Sequence, residues 1–169
     1  MENLPVPADA ELASLARQLS ARLLDRNWKM ATAESCTGGW IAKCCTDLAG
    51  SSAWFERGFV TYSNRAKEEM LGVAAAVLAR EGAVSRQVAC EMAAGARAGA
   101  GVDAAVAVTG IAGPGGGSVE KPVGTVWLAW AIDGQDTSAS IMTFAGDREA
   151  VRRRTVACAL NGLLERLDP

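Results

Sequence analysis

The order of hydrophobic periodicities along the chain predicts an α/β fold: three layers, α/β/α, built on a mixed, mostly parallel sheet that closes with a late antiparallel hairpin. Three observations predict it. Short apolar or β-rich runs alternate with helical patterns as far as Thr109, the order expected when crossover helices join parallel strands. Asp133-Gly134 then separates two further strand-like runs, which signals a tight hairpin turn and so an antiparallel pair. The longest apolar stretches, Val102 to Val108 and Val123 to Ile132, fall far short of the roughly 20 residues that span a bilayer, so they read as strands of a packed sheet.

The elements follow in order. Leu12, Leu15, Leu19 and Leu23 recur at helical spacing, which predicts an amphipathic helix over 9–25. Lys29 to Glu34 reads as a strand, and Thr37-Gly38-Gly39 as a tight turn opening a helix to about Leu48. After the loop Ala49 to Ala53, the aromatic and β-branched residues of Phe55 to Tyr62 predict a second strand. Ser63-Asn64 caps a helix carrying Lys67, Met70 and Leu71. A short helix near Ala75 to Arg80 precedes a second capped helix, Ser85 to about Ala98, whose small residues suit close packing on a sheet. Asp103 to Thr109 is the third strand. The glycine-rich stretch Gly110 to Pro122 is a loop, Val123 to Ile132 and Ser138 to Phe144 form the hairpin, and Asp147 to Leu167 closes the chain as a helix with a basic face. The 169 residues are read as one domain, without repeat or linker.

Composition removes whole classes of function. With 17 basic and 19 acidic residues, there is neither a stripe for nucleic acid nor a basic tail for a membrane surface. The five cysteines are odd in number and form no CxxC pair, against a disulfide framework or a structural zinc site. Met1 to Ala10 is acidic and proline-containing with no apolar core, so the expectation is a cytoplasmic protein with reduced thiols. Histidine is absent. That excludes Ser-His-Asp and Cys-His catalysis and any histidine-ligated metal, and leaves lysine, tyrosine, a carboxylate or a helix field to activate a nucleophile. No metal and no cofactor is expected.

Parallel strands would place Ser35, Tyr62 and Thr109 at their carboxyl ends, where open α/β sheets bind ligands. Ser35 also precedes a helix start at which the N–H groups near Gly38 and Gly39 can hold an anion. Lys67, in the first turn of its helix, is placed against the helix dipole, which favours its neutral, basic form. Spacing alone leaves both readings open: a Ser35, Tyr62 and Lys67 constellation, or a solvated lysine beside a rim tyrosine. Cys36 is the rival nucleophile. Neighbours in an extended segment face opposite ways, so if Ser35 faces the crevice, Cys36 is expected to be a buried small hydrophobe.

Four stretches decide between them: AESCTGGW at 33–40, GSSAWFERGFVTYSNRAK at 50–67, TGIAGPGGGSVEKPVGTVW at 109–127 and GDREAVR at 146–152. In this order and over most of the chain they resemble the CinA C-terminal domain family, whose members are nicotinamide mononucleotide deamidases. The resemblance implies hydrolysis of the carboxamide of nicotinamide mononucleotide to nicotinate mononucleotide and ammonia, with Ser35 as nucleophile and Tyr62 and Lys67 matching the family's tyrosine and lysine. Lys67, assisted or oriented by Tyr62, would take the Ser35 proton, and donors at Thr37, Gly38 and Gly39 would hold the oxyanion. Longer members carry an N-terminal domain with a second activity. Only 28 residues precede the Lys29 strand, so that activity is not expected here. The family's association with competence and DNA damage makes a non-catalytic nucleotide-binding or regulatory module the alternative.

Around this centre, Glu34 is read as a partner of Lys67, a ribose ligand, or an ordinary polar strand end. Thr109 and Gly110, with the backbone of Gly113, Gly115 and Gly116, should form the opposite wall. That loop leads into a strand rather than a helix, so it is not a P-loop. The Asp147 helix start and Arg148, with Arg152 one turn on, are candidate phosphate contacts or simply a solvated basic face. Trp40, Trp54, Trp127 and Trp130 read as core or interface anchors. A surface built on Trp54 and Phe55 would suit a homodimer contact as well as a core.

Overall fold

The computed structural model describes residues 5–167, so the stretch read for a leader lies partly, at 1–4, outside the described residues. Every helix and strand expected above is present. The helices are α1 (Asp9–Asp25), α2 (Trp40–Thr46), α3 (Asn64–Leu71), α4 (Ala75–Glu81), α5 (Arg86–Ala100) and α6 (Arg148–Leu167). The strands are β1 (Met30–Glu34), β2 (Phe55–Val60), β3 (Ala104–Gly110), β4 (Thr125–Ile132) and β5 (Ser138–Thr143). They form one sheet in the order β2-β1-β3-β4-β5. β2, β1 and β3 are parallel, β4 runs antiparallel to β3, and β5 antiparallel to β4, so β4 alone opposes the other four.

Helices cover both faces, and the two faces are built from different residues. Val106, Val108, Leu128, Trp130 and Ile132 point toward α1, α2 and α6, where Leu12, Leu19, Leu23, Ile41, Leu160 and Leu163 complete a bulky core. The opposite face presents Ala33, Ala105, Ala107, Ala129 and Ala131 to α5, which answers with Ala89, Met92, Ala93 and Ala96. Small residues on both sides let α5 lie close to the sheet, as its composition predicted. Gly95 extends this approach to α3: a Cβ there would stand 2.0 Å from the Leu71 carbonyl oxygen, so only glycine fits. The contact fixes the helix that carries Lys67.

Two of the tryptophans settle in the core. Trp54 is buried edge-to-face against Phe55, which packs on the core, so of the two readings of that pair the core one holds for Trp54. Trp130 is buried and donates its indole N–H to Ala159 O at 3.0 Å, satisfying the one polar atom of its ring. Among the described residues, no helix is long and apolar enough to cross a membrane.

Candidate active site

The parallel half of the sheet brings the three expected polar positions to one edge. β1 ends at Glu34, and the Ser35 N–H continues its ladder to Val108 O at 3.0 Å before the chain turns away. β2 ends at Val60, with the Thr61 N–H donating to Glu34 O at 2.9 Å, so Thr61 and Tyr62 lie just beyond its last rung. Thr109 is the penultimate residue of β3. Between these ends and the start of α3 lies a cavity of about 230 Å³ lined by Ser35, Cys36, Tyr62, Asn64, Lys67, Ala83, Val84, Thr109, Gly110, Ala112 and Arg148. A larger groove of about 370 Å³ between α1 and α6 contains none of them.

Inside this cavity the serine and the lysine meet. Ser63 caps α3 by accepting from the Ala66 N–H, and the helix then carries Lys67 inward until it is 1% exposed. Its Nζ donates to Ser35 Oγ at 3.0 Å and to Thr61 O at 2.7 Å. Both partners are uncharged, so no charge bonded to it offsets the burial, which pushes the Lys67 amine below its ordinary range. Burial is the leading physical cause. The amine's lone pair can face the hydroxyl while the Thr61 carbonyl holds an N–H and fixes its direction.

Glu34 does not pair with Lys67; its partners lie in the turn that opens α2. Its buried carboxylate accepts from Thr37 Oγ1 at 2.6 Å and from the N–H groups of Gly39, Ile41 and Ala42 at 3.1, 3.0 and 2.8 Å. The first turn of α2 leaves N–H groups without helical partners, and Glu34 fills that need. It lies outside the lining of the cavity that Ser35 enters. The turn donors are spent in the same way: Gly38 N–H goes to Ser35 O at 3.1 Å and Gly39 N–H to Glu34. Gly38 and Gly39, at φ 62° and 97°, are therefore needed for their backbone shape, and their expected service to an oxyanion is already committed elsewhere. The N–H groups of Cys36 and Thr37 are engaged by no other described residue.

Cys36 is buried as expected but does not face away from Ser35. It lines the cavity beside Ser35, because β1 has already ended and strict alternation no longer applies to the turn. It is nonetheless buried, and burial pushes its thiol up to about 12, so the sulfur stays protonated and a poor nucleophile.

The opposite wall is tied together by Arg148. Its Nη1 donates to Gly113 O at 2.9 Å and its Nη2 to Tyr62 Oη at 2.8 Å. The Tyr62 hydroxyl thus meets the arginine instead of Ser35 or Lys67, and the residue is 61% exposed. Thr109 Oγ1 is occupied by Ala83 O at 2.9 Å. Gly115 and Gly116 are exposed and outside the cavity lining, and Gly113 serves through its carbonyl. Asp147 accepts from the Ala150 N–H at 2.9 Å and so caps α6 itself.

Sequence reasoning missed Thr61, Asn64, Ala83, Val84 and Ala112. Asn64 was within reach of it, being three residues before Lys67 on the same helix face. The Thr61 carbonyl carries no sequence signal, since every residue has one. Among the described residues, no three His, Cys, Asp or Glu side chains are arranged to hold a metal.

The chain matches the CinA C-terminal domain family over residues 12–167. It is 56% identical to the nicotinamide-nucleotide amidohydrolase PncC of Escherichia coli (strain K12) over 155 residues, which cover 92% of this chain and 94% of that one. A longer CinA-like protein of Geobacter sulfurreducens is 57% identical over 148 residues, covering 87% of this chain and 36% of that one. Among solved structures, the competence/damage inducible protein CihA from Agrobacterium tumefaciens superposes with a TM-score of 0.91 at 46% identity, covering 98% of this chain and 99% of that one.

Proposed function

The chain belongs to the CinA C-terminal domain family, and we propose that it is a nicotinamide-nucleotide amidohydrolase that converts nicotinamide mononucleotide to nicotinate mononucleotide and ammonia. The activity in the name of its Escherichia coli relative supports this, given that the two chains align over nearly their full lengths. One observation carries the chemistry: a buried lysine without a counter-carboxylate, 3.0 Å from a serine hydroxyl in a cavity.

In this reading, neutral Lys67 takes the proton of Ser35 as Oγ bonds to the carboxamide carbon. The N–H groups of Cys36 and Thr37 are the turn donors left for the oxyanion. The lysine then passes its proton to the departing nitrogen, the C–N bond breaks, and ammonia leaves an acyl ester on Ser35. Water attacks that ester while Lys67 takes one of its protons, and Ser35 recovers its hydrogen as the acid departs. Arg148 keeps guanidinium donors beyond the two it uses and lines the cavity, which suits it to the substrate phosphate. Tyr62 serves by holding Arg148.

Ammonia release from nicotinamide mononucleotide by the purified protein tests the activity, and mass spectrometry of the Ser35 peptide during turnover tests the acyl-enzyme. Ser35→Ala that still releases ammonia at the wild-type rate would remove serine catalysis from consideration.

A further inference from the structure

Arg152 lies one helical turn after Arg148 on α6, yet it lines a different hollow, of about 260 Å³, with Thr37, Gly38, Gly39, Trp40 and Lys43. We propose that Arg152 is a positioning residue that holds the nucleophile turn in register from behind, an inference that rests on the amidohydrolase reading above.

Its Nη2 donates to Thr37 O at 2.7 Å, 115 residues away in sequence. Thr37 is bound to the same turn through its hydroxyl on Glu34, and the next residue returns its N–H to Ser35 O. A pull on the Thr37 carbonyl therefore reaches Ser35 through two short links. The guanidinium lies 5.1 Å from the centre of the Trp40 ring, and a Cβ on Gly38 would come within 3.6 Å of Nη2, so the group packs against the glycine turn. Nothing else among the described residues competes for it. Arg153 pairs with Asp9 and Glu149, whereas Arg152 has no such ion pair and leaves its buried Nε without a partner. The one directional bond it makes is to the turn.

Because Arg152 lies outside the Ser35 cavity, its loss should change the rate and spare binding. Arg152→Ala is expected to lower kcat by on the order of 10–100-fold, the penalty of a displacement near 1 Å at a reacting group. KM for nicotinamide mononucleotide should stay within about threefold, and added guanidinium ion should restore part of kcat. Arg153→Ala, which removes the other guanidinium over Trp40 at 5.0 Å but no bond to the turn, should keep kcat within about twofold. Arg152→Met serves if the alanine variant does not fold. Amide hydrogen exchange over residues 36–41, quickened by the Arg152 change and unaffected by the Arg153 change, would support the clamp even if the wild type released no ammonia, an outcome that sinks only the activity. A folded Arg152 variant with wild-type kcat and exchange would overturn the proposal. So would a tenfold rise in KM for the mononucleotide that spares nicotinamide riboside, since that makes Arg152 a phosphate ligand.

Discussion

The turn that opens α2 and the first turn of α3 each bury one ionisable side chain beside Ser35, and they treat it in opposite ways. Glu34 is surrounded by four donors, three of them backbone N–H groups that the helix start must satisfy somewhere. Lys67 is given one carbonyl and one hydroxyl, and no described carboxylate pairs with it. The first arrangement holds a charge in place and spends it on structure. The second makes the charge costly and leaves a lone pair for chemistry. Adjacency in a site therefore says little about role, and the partners of each group decide it.

The sharpest test removes the lysine. Lys67→Met should lower turnover by about 10⁴-fold or more, and Ser35→Ala combined with it should lower it little further, because the two groups serve one step. The pH dependence carries the sign. Only neutral Lys67 can accept a proton, so kcat/KM should rise with pH through an ionisation below the 10.5 of an ordinary lysine and lie flat above it. Stability follows the same group: between the lowered folded value and the unfolded one, the unfolded chain binds more protons here. Stability should then rise with pH across that window, and Lys67→Met should abolish the slope in a chemical-denaturation series. A pH profile unchanged in shape by the substitution would separate Lys67 from the base.

Glu34→Gln is the complementary test. It turns one acceptor into a donor facing N–H groups, and should cost roughly 2–4 kcal/mol in denaturant unfolding. The rate should fall by about 10-fold through disorder of the turn, while the pH midpoint set by Lys67 stays in place. A clear shift of that midpoint would mean that the carboxylate acts on Lys67 after all, and would erase the contrast.

On the opposite wall the expected losses are smaller and selective. Arg148→Ala should raise KM for nicotinamide mononucleotide by about 10-fold and change the use of the riboside little. Tyr62→Phe, which removes a single bond to Arg148, should show a weaker version of the same pattern. Loss of kcat on both substrates would instead give the tyrosine a part in proton transfer. Smallest of all is Cys36→Ala. With its thiol held up at about 12, its removal should leave turnover within about threefold and cost about 1 kcal/mol of packing, read as a shift in Tm.

By itself the sequence determined the order of elements, the hairpin, the strand ends at which Ser35, Tyr62 and Thr109 gather, and the pairing of Ser35 with Lys67. Each is a local signal: apolar period, cap residues, turn dipeptides, and, for Ser35 and Lys67, long motifs that resemble a known family. Absent histidine narrowed the chemistry further, since composition survives any fold. Tertiary structure alone decided which groups were already taken. Glu34 and the glycine N–H groups looked available because their partners lie in the next turn of chain, and only the folded turn closes those bonds. Tyr62 looked like a companion of Lys67 five residues on, but the partner of its hydroxyl sits 86 positions away on α6. Cys36 entered the cavity because alternation ends where a strand ends, a boundary that pattern reading places only to within a few residues. Whether a hydrogen-bond partner lies three residues away or eighty-six, only the fold closes the bond, so a residue's chemistry can be read locally while its commitments cannot.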